Sequence, residues 1–143
     1  TGSMLLHPVV HLHLFNSCGE LYLQKRPAWK DIQPGRWDTA VGGHVDWGEE
    51  PLAALRREVR EEVGVTDFEP QHVLTYLFES ERERELVYVY KTVYDGPVVP
   101  SGELDGGRFW TLREIAEGVG GGIFTPNFEG EIRRVAELPD VGR

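Results

Sequence analysis

The sequence has few of the features that membrane-spanning, disulfide-stabilised or nucleic-acid-binding proteins need. It contains no apolar run of about 18 residues, the length a membrane-spanning helix requires, and no secretory leader pattern. Its single cysteine, Cys18, excludes an internal disulfide and is typical of a reducing compartment, so we expect a cytoplasmic protein. The sequence has only 15 Lys and Arg residues but 24 Asp and Glu residues, which gives a formal net charge of −9. Because nucleic-acid backbones bind clustered cations, we expect no nucleic-acid partner.

The length of 143 residues and the 40% hydrophobic content predict one domain with its own core. Thr1 to Ser3 precede Met4 and resemble residues added during cloning, so we expect the domain to span residues 4–143. The sequence is compatible with a monomer or a homodimer.

Short apolar strands alternate with helical segments, which predicts an α/β fold with a mixed sheet. The predicted strands cover residues 9–15, 21–25, 71–79, 86–94 and 108–111, and residues 37–41 lead the chain into the segment described next. Two helices are predicted in the tail, over residues 112–117 and 126–137, the second after an N-cap at Thr125 and with Pro126 at its first position.

Residues 43–65, GHVDWGEEPLAALRREVREEVGV, combine a glycine-containing loop with an amphipathic helix. Pro51 suits the first helical turn and Gly64 suits the position after the last one, so we expect a helix that starts near residues 49–51 and ends at Gly64. At about 100° per residue, four apolar side chains fall on one stripe that we expect to be buried. They are Leu52, Leu55, Val59 and Val63.

Three glutamates, Glu58, Glu61 and Glu62, project from another side of this helix. A like-charge pair four residues apart weakens an isolated helix by roughly 0.2–0.5 kcal/mol, and a divalent cation between the carboxylates would reverse that effect. Oxygen ligands without thiolates favour Mg²⁺ or Mn²⁺. A solvated charged face is the alternative interpretation.

The spacing of the whole segment resembles the Nudix box, G-x5-E-x7-R-E-U-x-E-E-x-G-U, in which U is a bulky apolar residue. Every defined position matches: Gly43, Glu49, Arg57, Glu58, Val59, Glu61, Glu62, Gly64 and Val65. The resemblance implies a Nudix hydrolase, with an α/β/α sandwich around a mixed central sheet, that cleaves the phosphoanhydride of a nucleoside diphosphate linked to another group. It also implies a small phosphorylated substrate and a Mg²⁺ or Mn²⁺ cofactor, since divalent ions neutralise diphosphate charge and activate water.

The resemblance also assigns roles within the box. Glu58 and Glu62 would bind metal directly, Glu61 would bind it directly or through water, and the Gly43 carbonyl would complete the shell. Arg57 lies four residues before Glu61, so we expect an ion pair that orients this carboxylate.

Glu49 stands at the start of the helix, where an acidic side chain is favoured by the exposed N–H groups. Capping is one interpretation of this residue, and metal coordination or water activation is the other.

Residues 6–49 resemble the N-terminal half of isopentenyl-diphosphate isomerase, an enzyme with the Nudix fold. The shared features are the Leu-Phe-Asn turn, the basic pair Lys25-Arg26, Pro34-Gly35-x-Trp37 and Gly43-His44. This second resemblance implies divalent metal binding by His7 and His44, and metal binding and proton transfer by Glu83 and Glu85. However, Gly42 stands where the isomerase needs a catalytic cysteine, which leaves its acid–base pair incomplete. We therefore favour hydrolysis over isomerisation.

Nudix hydrolases usually take one further carboxylate, as base or ligand, from outside the box. Glu83, Glu85 and Glu103 compete for this role; the candidate catalytic residues are then Glu58, Glu61, Arg57, Glu85 and Glu103. A lone histidine is more often structural than metal-binding, so a second metal site at His7 and His44 stays an alternative. His11 and His13 share one strand face, where packing is favoured over a metal pair.

No local motif specifies the substrate. In the loop before the box, Arg26, Lys30 and Arg36 are candidate contacts for distal phosphates. Candidate aromatic side chains for stacking on a base are Trp37, Trp47, Tyr76, Phe78 and Tyr88. Since aromatic residues in strands mostly fill the core, we expect at most one or two of them to touch a ligand.

Overall fold

The structure, a computed structural model, describes residues 5–26, 34–102 and 106–141. Within these ranges the strands are β1 Leu6–Phe15, β2 Leu21–Lys25, β3 Trp37–Thr39, β4 Val41–His44, β5 Gln71–Glu79, β6 Arg84–Val93 and β7 Gly107–Trp110. The helices are α1 Pro51–Val63, α2 Leu112–Gly118 and α3 Pro126–Val135. The predicted strands over residues 9–15 and 86–94 begin earlier in the structure, at Leu6 and Arg84, and the strand predicted over 108–111 is shifted by one residue. Residues 37–41, for which the sequence predicts no strand, contribute to β3 and β4.

Strand β1 organises the sheet because it pairs along both edges. On one edge it runs parallel to β6, with Val9 opposite Val87. On the other edge it pairs antiparallel with β4 along residues 9–12 and with β2 at Leu14 and Phe15. Strand β5 pairs antiparallel with β6, and β3 and β7 both pair with β2. The predicted mixed sheet is confirmed, and β2 and β4 share one edge of β1.

Alternating residues of the sheet face two layers of helices. On one side, Val10, Leu12 and Leu14 of β1 are fully buried in a cluster with Leu55 and Val59 of α1. On the other side, a second cluster joins β2 and β7 to α2 and α3 through Leu21, Leu23, Trp110, Ile115, Phe128 and Ile132. This layering is the predicted α/β/α sandwich. None of the helices in the described ranges has the length and apolar character needed to cross a membrane.

Helix α1 follows the prediction at its ends but not over its whole buried face. It begins with Pro51 in its first turn and stops at Gly64, which adopts φ 70° and donates its N–H to the Arg60 carbonyl at 3.1 Å. The prediction that Leu52 is buried is wrong, since this side chain is 44% exposed. Ala54 is buried instead, four residues before Glu58, because α1 turns this side toward the glycines of β4.

Helix α3 begins as the sequence predicts. The Thr125 hydroxyl accepts a hydrogen bond from the Phe128 N–H at 3.2 Å, and Pro126 occupies the first turn. The helix ends at Val135, two residues before the predicted end. Its N-terminus lies against the cavity described below, so the cap fixes one wall of the candidate site.

Candidate active site

The box helix contacts the sheet closely at Gly43, in β4. A Cβ atom at this position would overlap the carboxylate of Glu58, closer than real Cβ atoms ever come to another atom. Only glycine therefore lets the Glu58 side chain lie directly against the β4 backbone. This contact explains why the first residue of the box is glycine. It also holds the Glu58 carboxylate beside the backbone of β4 at Gly43.

Glu58 and Glu62 form a carboxyl pair one helical turn apart. Burial raises the pKa of Glu62 first, and the hydrogen bond and negative charge of Glu58 raise it further, to about 9. The Gly42 N–H and the Gln24 side chain bond to Glu62 and offset part of that rise. Without a cation, the pair therefore retains one shared proton at neutral pH.

Arg57 joins the loop before α1 to this pair. Its Nε and Nη2 donate to the two carboxylate oxygens of Glu49, both at 2.9 Å, and Nη1 donates to Glu58 at 2.7 Å. Nη2 also donates to the His44 carbonyl at 3.0 Å. The guanidinium thus holds three separate acceptors, and its bond to Glu58 Oε1 helps to fix the position of that carboxylate.

The expected pairing of Arg57 with Glu61 is secondary in the structure. The nearest nitrogen and oxygen of the two side chains are 3.6 Å apart, and Glu61 is 54% exposed. Arg57 turns away from it because Glu49 offers two oxygens in a bidentate arrangement.

Glu49 does not cap α1. The N-cap position is Glu50, which makes no side-chain capping bond. Glu49 instead accepts from Arg57 and from the Asp46 N–H at 2.9 Å. The hydrogen bond from Arg57, with that from Asp46, lowers the pKa of Glu49 to about 2. Its carboxylate is therefore charged and committed to Arg57.

The donor atoms around Glu58 and Glu62 fit a hard divalent cation. They are all oxygens, the donors that Mg²⁺ and Mn²⁺ prefer, and a cation between the two carboxylates would offset their mutual repulsion. Nearby, the Oε1 atom of Gln24 is buried without a hydrogen-bond partner. In the described ranges no three His, Cys, Asp or Glu side chains are already grouped as ligands. A Mg²⁺ ion, which commonly keeps waters and substrate oxygens in its shell, suits such a sparse set of protein ligands.

A cavity of about 630 Å³ opens beside the glycines of β4. It is lined by β1 to β4, by the β5–β6 connection and by the N-terminus of α3. Of the residues proposed from sequence, it brings together Gly43, His44, Glu83, Glu85 and Arg26. The three box glutamates lie on α1, behind the glycines. Lys30 and Glu103 lie outside the described residues.

Other candidates lie away from the cavity. Trp37 packs edge-on against Trp110, with ring centroids 5.2 Å apart, inside the apolar cluster under α3. Arg36 donates from Nη1 to the Phe124 carbonyl at 3.4 Å. The positions of both are thus set by packing around α3 rather than by the cavity. His7 is exposed and does not line it either. Among the aromatic candidates, only Phe78 lines the cavity.

A polar cluster behind the cavity was not predicted. His11 Nδ1 donates to Glu131 at 2.7 Å, His13 Nε2 donates to its other oxygen at 2.9 Å, and the Tyr76 hydroxyl donates to it as well. Glu131 is 2% exposed, and His13 is fully buried. The expectation of simple packing for the two histidines was therefore incomplete: they are buried because a carboxylate from α3 accepts their protons.

The sequence contained one signal for this cluster. Glu131 lies on the buried face of α3, in the spacing of Phe128, Ile132 and Val135, where an apolar residue is expected. Burial alone would raise the pKa of Glu131, but the hydrogen bonds from His11 and His13 outweigh it and hold that pKa below its ordinary value. Burial lowers the pKa of His11, yet the bond to Glu131 and the charges of Glu131, Asp38 and Glu85 raise it above its ordinary value.

Comparison with known proteins gives one consistent result. The family model of the NUDIX domain matches residues 5–128. The chain is 36% identical over 97 residues to an uncharacterised Nudix hydrolase of Pseudomonas aeruginosa, covering 67% of this chain and 57% of that protein. It is 31% identical over 118 residues to an isopentenyl-diphosphate Delta-isomerase of Serratia proteamaculans, covering 79% of this chain and 64% of that protein. The chain thus spans 57% and 64% of the lengths of these two relatives.

Solved structures show the same fold. The crystal structure of a Deinococcus radiodurans protein superposes with a TM-score of 0.77 at 26% identity, covering 90% of this chain and 82% of that one. A MutT protein from Methanosarcina mazei superposes with a TM-score of 0.76 at 24% identity, covering 92% and 94%. With a family match over residues 5–128 and a box whose Gly43, Glu58 and Glu62 meet in three dimensions, the chain belongs to the Nudix family.

Proposed function

We propose that the chain is a divalent-metal-dependent pyrophosphohydrolase that cleaves a phosphoanhydride bond in a nucleoside-diphosphate-type or related small substrate. The observation that carries the proposal is the Glu58 carboxylate held directly against the Gly43 backbone, with Glu62 one helical turn away, while Gly42 and Gly43 line a cavity. A Mg²⁺ or Mn²⁺ ion held there would neutralise diphosphate charge and activate water for attack on phosphorus.

The residues of the box divide this task. Glu58 and Glu62 supply the carboxylates, and the Gly43 carbonyl is a further oxygen donor beside them. Arg57 keeps Glu58 in place through its own bonds to Glu49 and the His44 carbonyl. Glu61, which is exposed and only loosely paired with Arg57, is free to turn toward a ligand or a water.

Glu85 and Glu83 are the described candidates for a carboxylate from outside the box. Both line the cavity, Glu83 in the β5–β6 connection and Glu85 near the start of β6. A carboxylate that lines the same cavity as Gly43 can take a proton from an attacking water there. We assign that role to Glu85 and a metal-binding role to Glu83, with Glu103 as the competing base.

The cavity supports a small phosphorylated substrate. Its volume of about 630 Å³ lies within the roughly 300–1,000 Å³ typical of small-molecule sites. Arg26 and Arg82 line it and supply positive charge for phosphate oxygens, while Phe78 offers an apolar ring. His44, at the end of β4, lines the cavity as well.

The test is a screen of nucleoside-diphosphate derivatives, dinucleoside polyphosphates and prenyl diphosphates, scored for product by ³¹P NMR. Each compound is incubated with Mg²⁺, with Mn²⁺ and with EDTA. We expect phosphoanhydride cleavage in the metal-containing samples alone. Cleavage that continues in EDTA, or no cleavage of any compound, would contradict the proposal.

An isomerase is the second candidate, favoured by the likeness to the Serratia protein and by the shared cavity residues His44, Glu83 and Glu85. Gly42 argues against it, since it stands at the position of the catalytic cysteine. In addition, a Cβ atom at position 42 would lie 3.3 Å from the His11 ring, so a cysteine side chain there would crowd that ring. Isomerisation of isopentenyl diphosphate without phosphate release would establish this alternative.

A non-catalytic binding module is the third reading. It predicts that a nucleotide or sugar ligand raises the melting temperature while no product forms. The intact carboxylate pair disfavours it, because a module without chemistry has no need of a buried, proton-sharing pair.

A further inference from the structure

His11 faces the cavity with one nitrogen occupied and the other available. Its Nδ1 is bonded to Glu131, and its side chain is 15% exposed at the cavity wall. No other residue in the described part of the chain hydrogen-bonds to Nε2. Because a carboxylate accepts protons, the Glu131 bond sets Nδ1 as a donor and fixes the ring plane.

The free nitrogen lies beside the box. His11 of β1 pairs with Gly42 of β4, and a Cβ atom at Gly42 would lie 3.7 Å from His11 Nε2. The Gly42 N–H bonds to the Glu62 carboxyl group. One glycine therefore separates the imidazole, which lines the cavity, from the carboxyl pair on α1.

We infer that His11 is a substrate-contacting residue, whose Nε2 donates a hydrogen bond to a phosphoryl oxygen of the bound diphosphate, and that Glu131 is the positioning residue that aims it. The identity of the ligand as a diphosphate rests on the proposed function. An anionic oxygen at Nε2 itself favours the protonated ring, which is the form that donates from both nitrogens.

The way Glu131 is held supports a positioning role. It accepts from His11, His13 and Tyr76, which come from β1 and β5, so α3 is tied to the sheet at the point where it supports the ring. A buried carboxylate is costly unless it is fully bonded, and apolar side chains would fill the same space without that cost. The cluster therefore does more than pack α3.

His13 provides the matched control. It bonds to the same carboxylate as His11 and comes from the same strand face, but it is fully buried and does not line the cavity. His13→Gln keeps a donor that can reach Glu131. His11→Gln and His11→Ala remove the imidazole that faces the ligand.

The probe is methylenediphosphonate with Mg²⁺, which is not hydrolysed, so binding is measured apart from turnover. We measure its dissociation constant by calorimetry for the wild type and the three variants, with a melting curve for each. Since a hydrogen bond to a charged group is worth more than a neutral one, we expect His11→Ala to weaken binding by about tenfold or more. His11→Gln should weaken it less, and His13→Gln by less than about threefold.

A second measurement reads the ring directly. In ¹H–¹⁵N spectra of the histidine side chains, the probe should shift the Nε2 signal of His11, and the His13 signals should not move. Four results would each overturn the inference. Two concern the variants: unchanged probe affinity in both folded His11 variants, or equal losses of affinity in His11→Ala and His13→Gln. Two concern the wild type: a shift of the His11 signal produced by Mg²⁺ alone, or no binding of the probe. If His11→Ala does not fold, His11→Gln and the spectrum of the wild type decide.

These outcomes separate this inference from the proposed function. A chain that cleaves diphosphates with unchanged methylenediphosphonate affinity in the His11 variants keeps its hydrolase assignment and loses the His11 contact. A chain that cleaves nothing, yet binds the probe through His11, keeps the contact and loses the hydrolase assignment.

Discussion

The carboxyl groups of Glu58 and Glu62, one turn apart on α1, share a hydrogen bond that helps to raise the pKa of Glu62 to about 9. Burial is the larger cause of this rise, and the charge of Glu58 adds to it. A pair of this kind is poorly suited to stability alone, since one of the two carboxylates ionises only at the cost of burial and repulsion from the other. Its natural partner is a divalent cation, and several measurable consequences follow from that pairing.

Binding of Mg²⁺ should release close to one proton at pH 7.5. The metal-free pair retains a proton from the ordinary glutamate range up to about pH 9, and a cation between the carboxylates expels it. The apparent affinity should therefore rise with pH until about 9. Calorimetric titrations of the metal-free chain in buffers of different ionisation enthalpy measure the number of protons released. If the wild type releases no proton on binding Mg²⁺, or if Glu62→Gln releases as many protons as the wild type, then the Glu58–Glu62 pair is not the Mg²⁺ site.

Gly43→Ala should displace Glu58 and lower activity. The added Cβ atom would overlap the Glu58 carboxylate, and overpacking of this kind costs about 1–3 kcal/mol of unfolding free energy. Gly130→Ala is the control, because a Cβ atom there meets nothing within 4 Å and the position is helical. We expect the control to stabilise the chain by about 0.5–1 kcal/mol. Urea denaturation and turnover of both variants test this, and wild-type activity in Gly43→Ala would exclude a tight Gly43–Glu58 contact.

Arg57→Lys should impair metal-dependent activity although the charge is kept. A single ammonium cannot bond Glu49 through two oxygens while also holding Glu58 and the His44 carbonyl. Groups that orient metal ligands typically contribute about 10–100-fold to affinity or activity. The matched change is Arg60→Lys, on the exposed face of the same helix. The Mg²⁺ concentration for half-maximal rate should increase in Arg57→Lys and stay constant in Arg60→Lys; equal values in both would remove Arg57 from the site.

Glu131→Gln should destabilise the chain near neutral pH, and the difference from wild type should shrink in acid. The pKa of Glu131 is held below its ordinary value, so its contribution to stability is present above the ordinary glutamate range and is lost as pH falls through the lowered value. Replacing a buried charged acceptor costs about 1–3 kcal/mol, because the amide keeps only one of the two oxygens that accept from His11, His13 and Tyr76. Denaturation curves of the wild type and Glu131→Gln at pH 7 and at pH 3 measure the difference in unfolding free energy at each pH. A constant difference would mean that Glu131 is not ionised in the folded chain.

The fold was largely predictable because it follows local patterns. Alternating apolar residues predicted the strands around Leu12 and Leu23, and proline and glycine marked the ends of α1. The prediction failed where burial depends on how elements are oriented in space. Leu52 fits the apolar stripe, yet α1 turns Ala54 and Glu58 toward β4 instead.

The site was predictable only as far as the spacing of the box reached. The structure places the Glu58 carboxylate against Gly43, but Arg57 pairs mainly with Glu49, eight residues earlier, rather than with Glu61 on its own helix. Local patterns do not identify the partner of a side chain when that partner lies on another element.

The His11–Glu131 bond joins residues 120 positions apart. Similarly, the sequence predicts Trp37 as a candidate ligand contact, whereas in the structure its ring packs against Trp110 from a distant strand. The spacing of residues on one element does not reveal partners on another, so these parts of the site had to come from the structure.

The most direct test of the central claim is the metal-dependent turnover of Glu62→Gln beside Glu50→Gln. Both changes replace a carboxylate by an amide on or next to α1, but Glu50 makes no side-chain capping bond and lies outside the carboxyl pair. With Mg²⁺ or Mn²⁺ and a diphosphate substrate from the screen, the rate should fall by at least about a hundredfold in Glu62→Gln, with its melting curve intact, and remain at the wild-type value in Glu50→Gln. Unchanged turnover in Glu62→Gln would contradict the assignment of this pair as the metal site of a pyrophosphohydrolase.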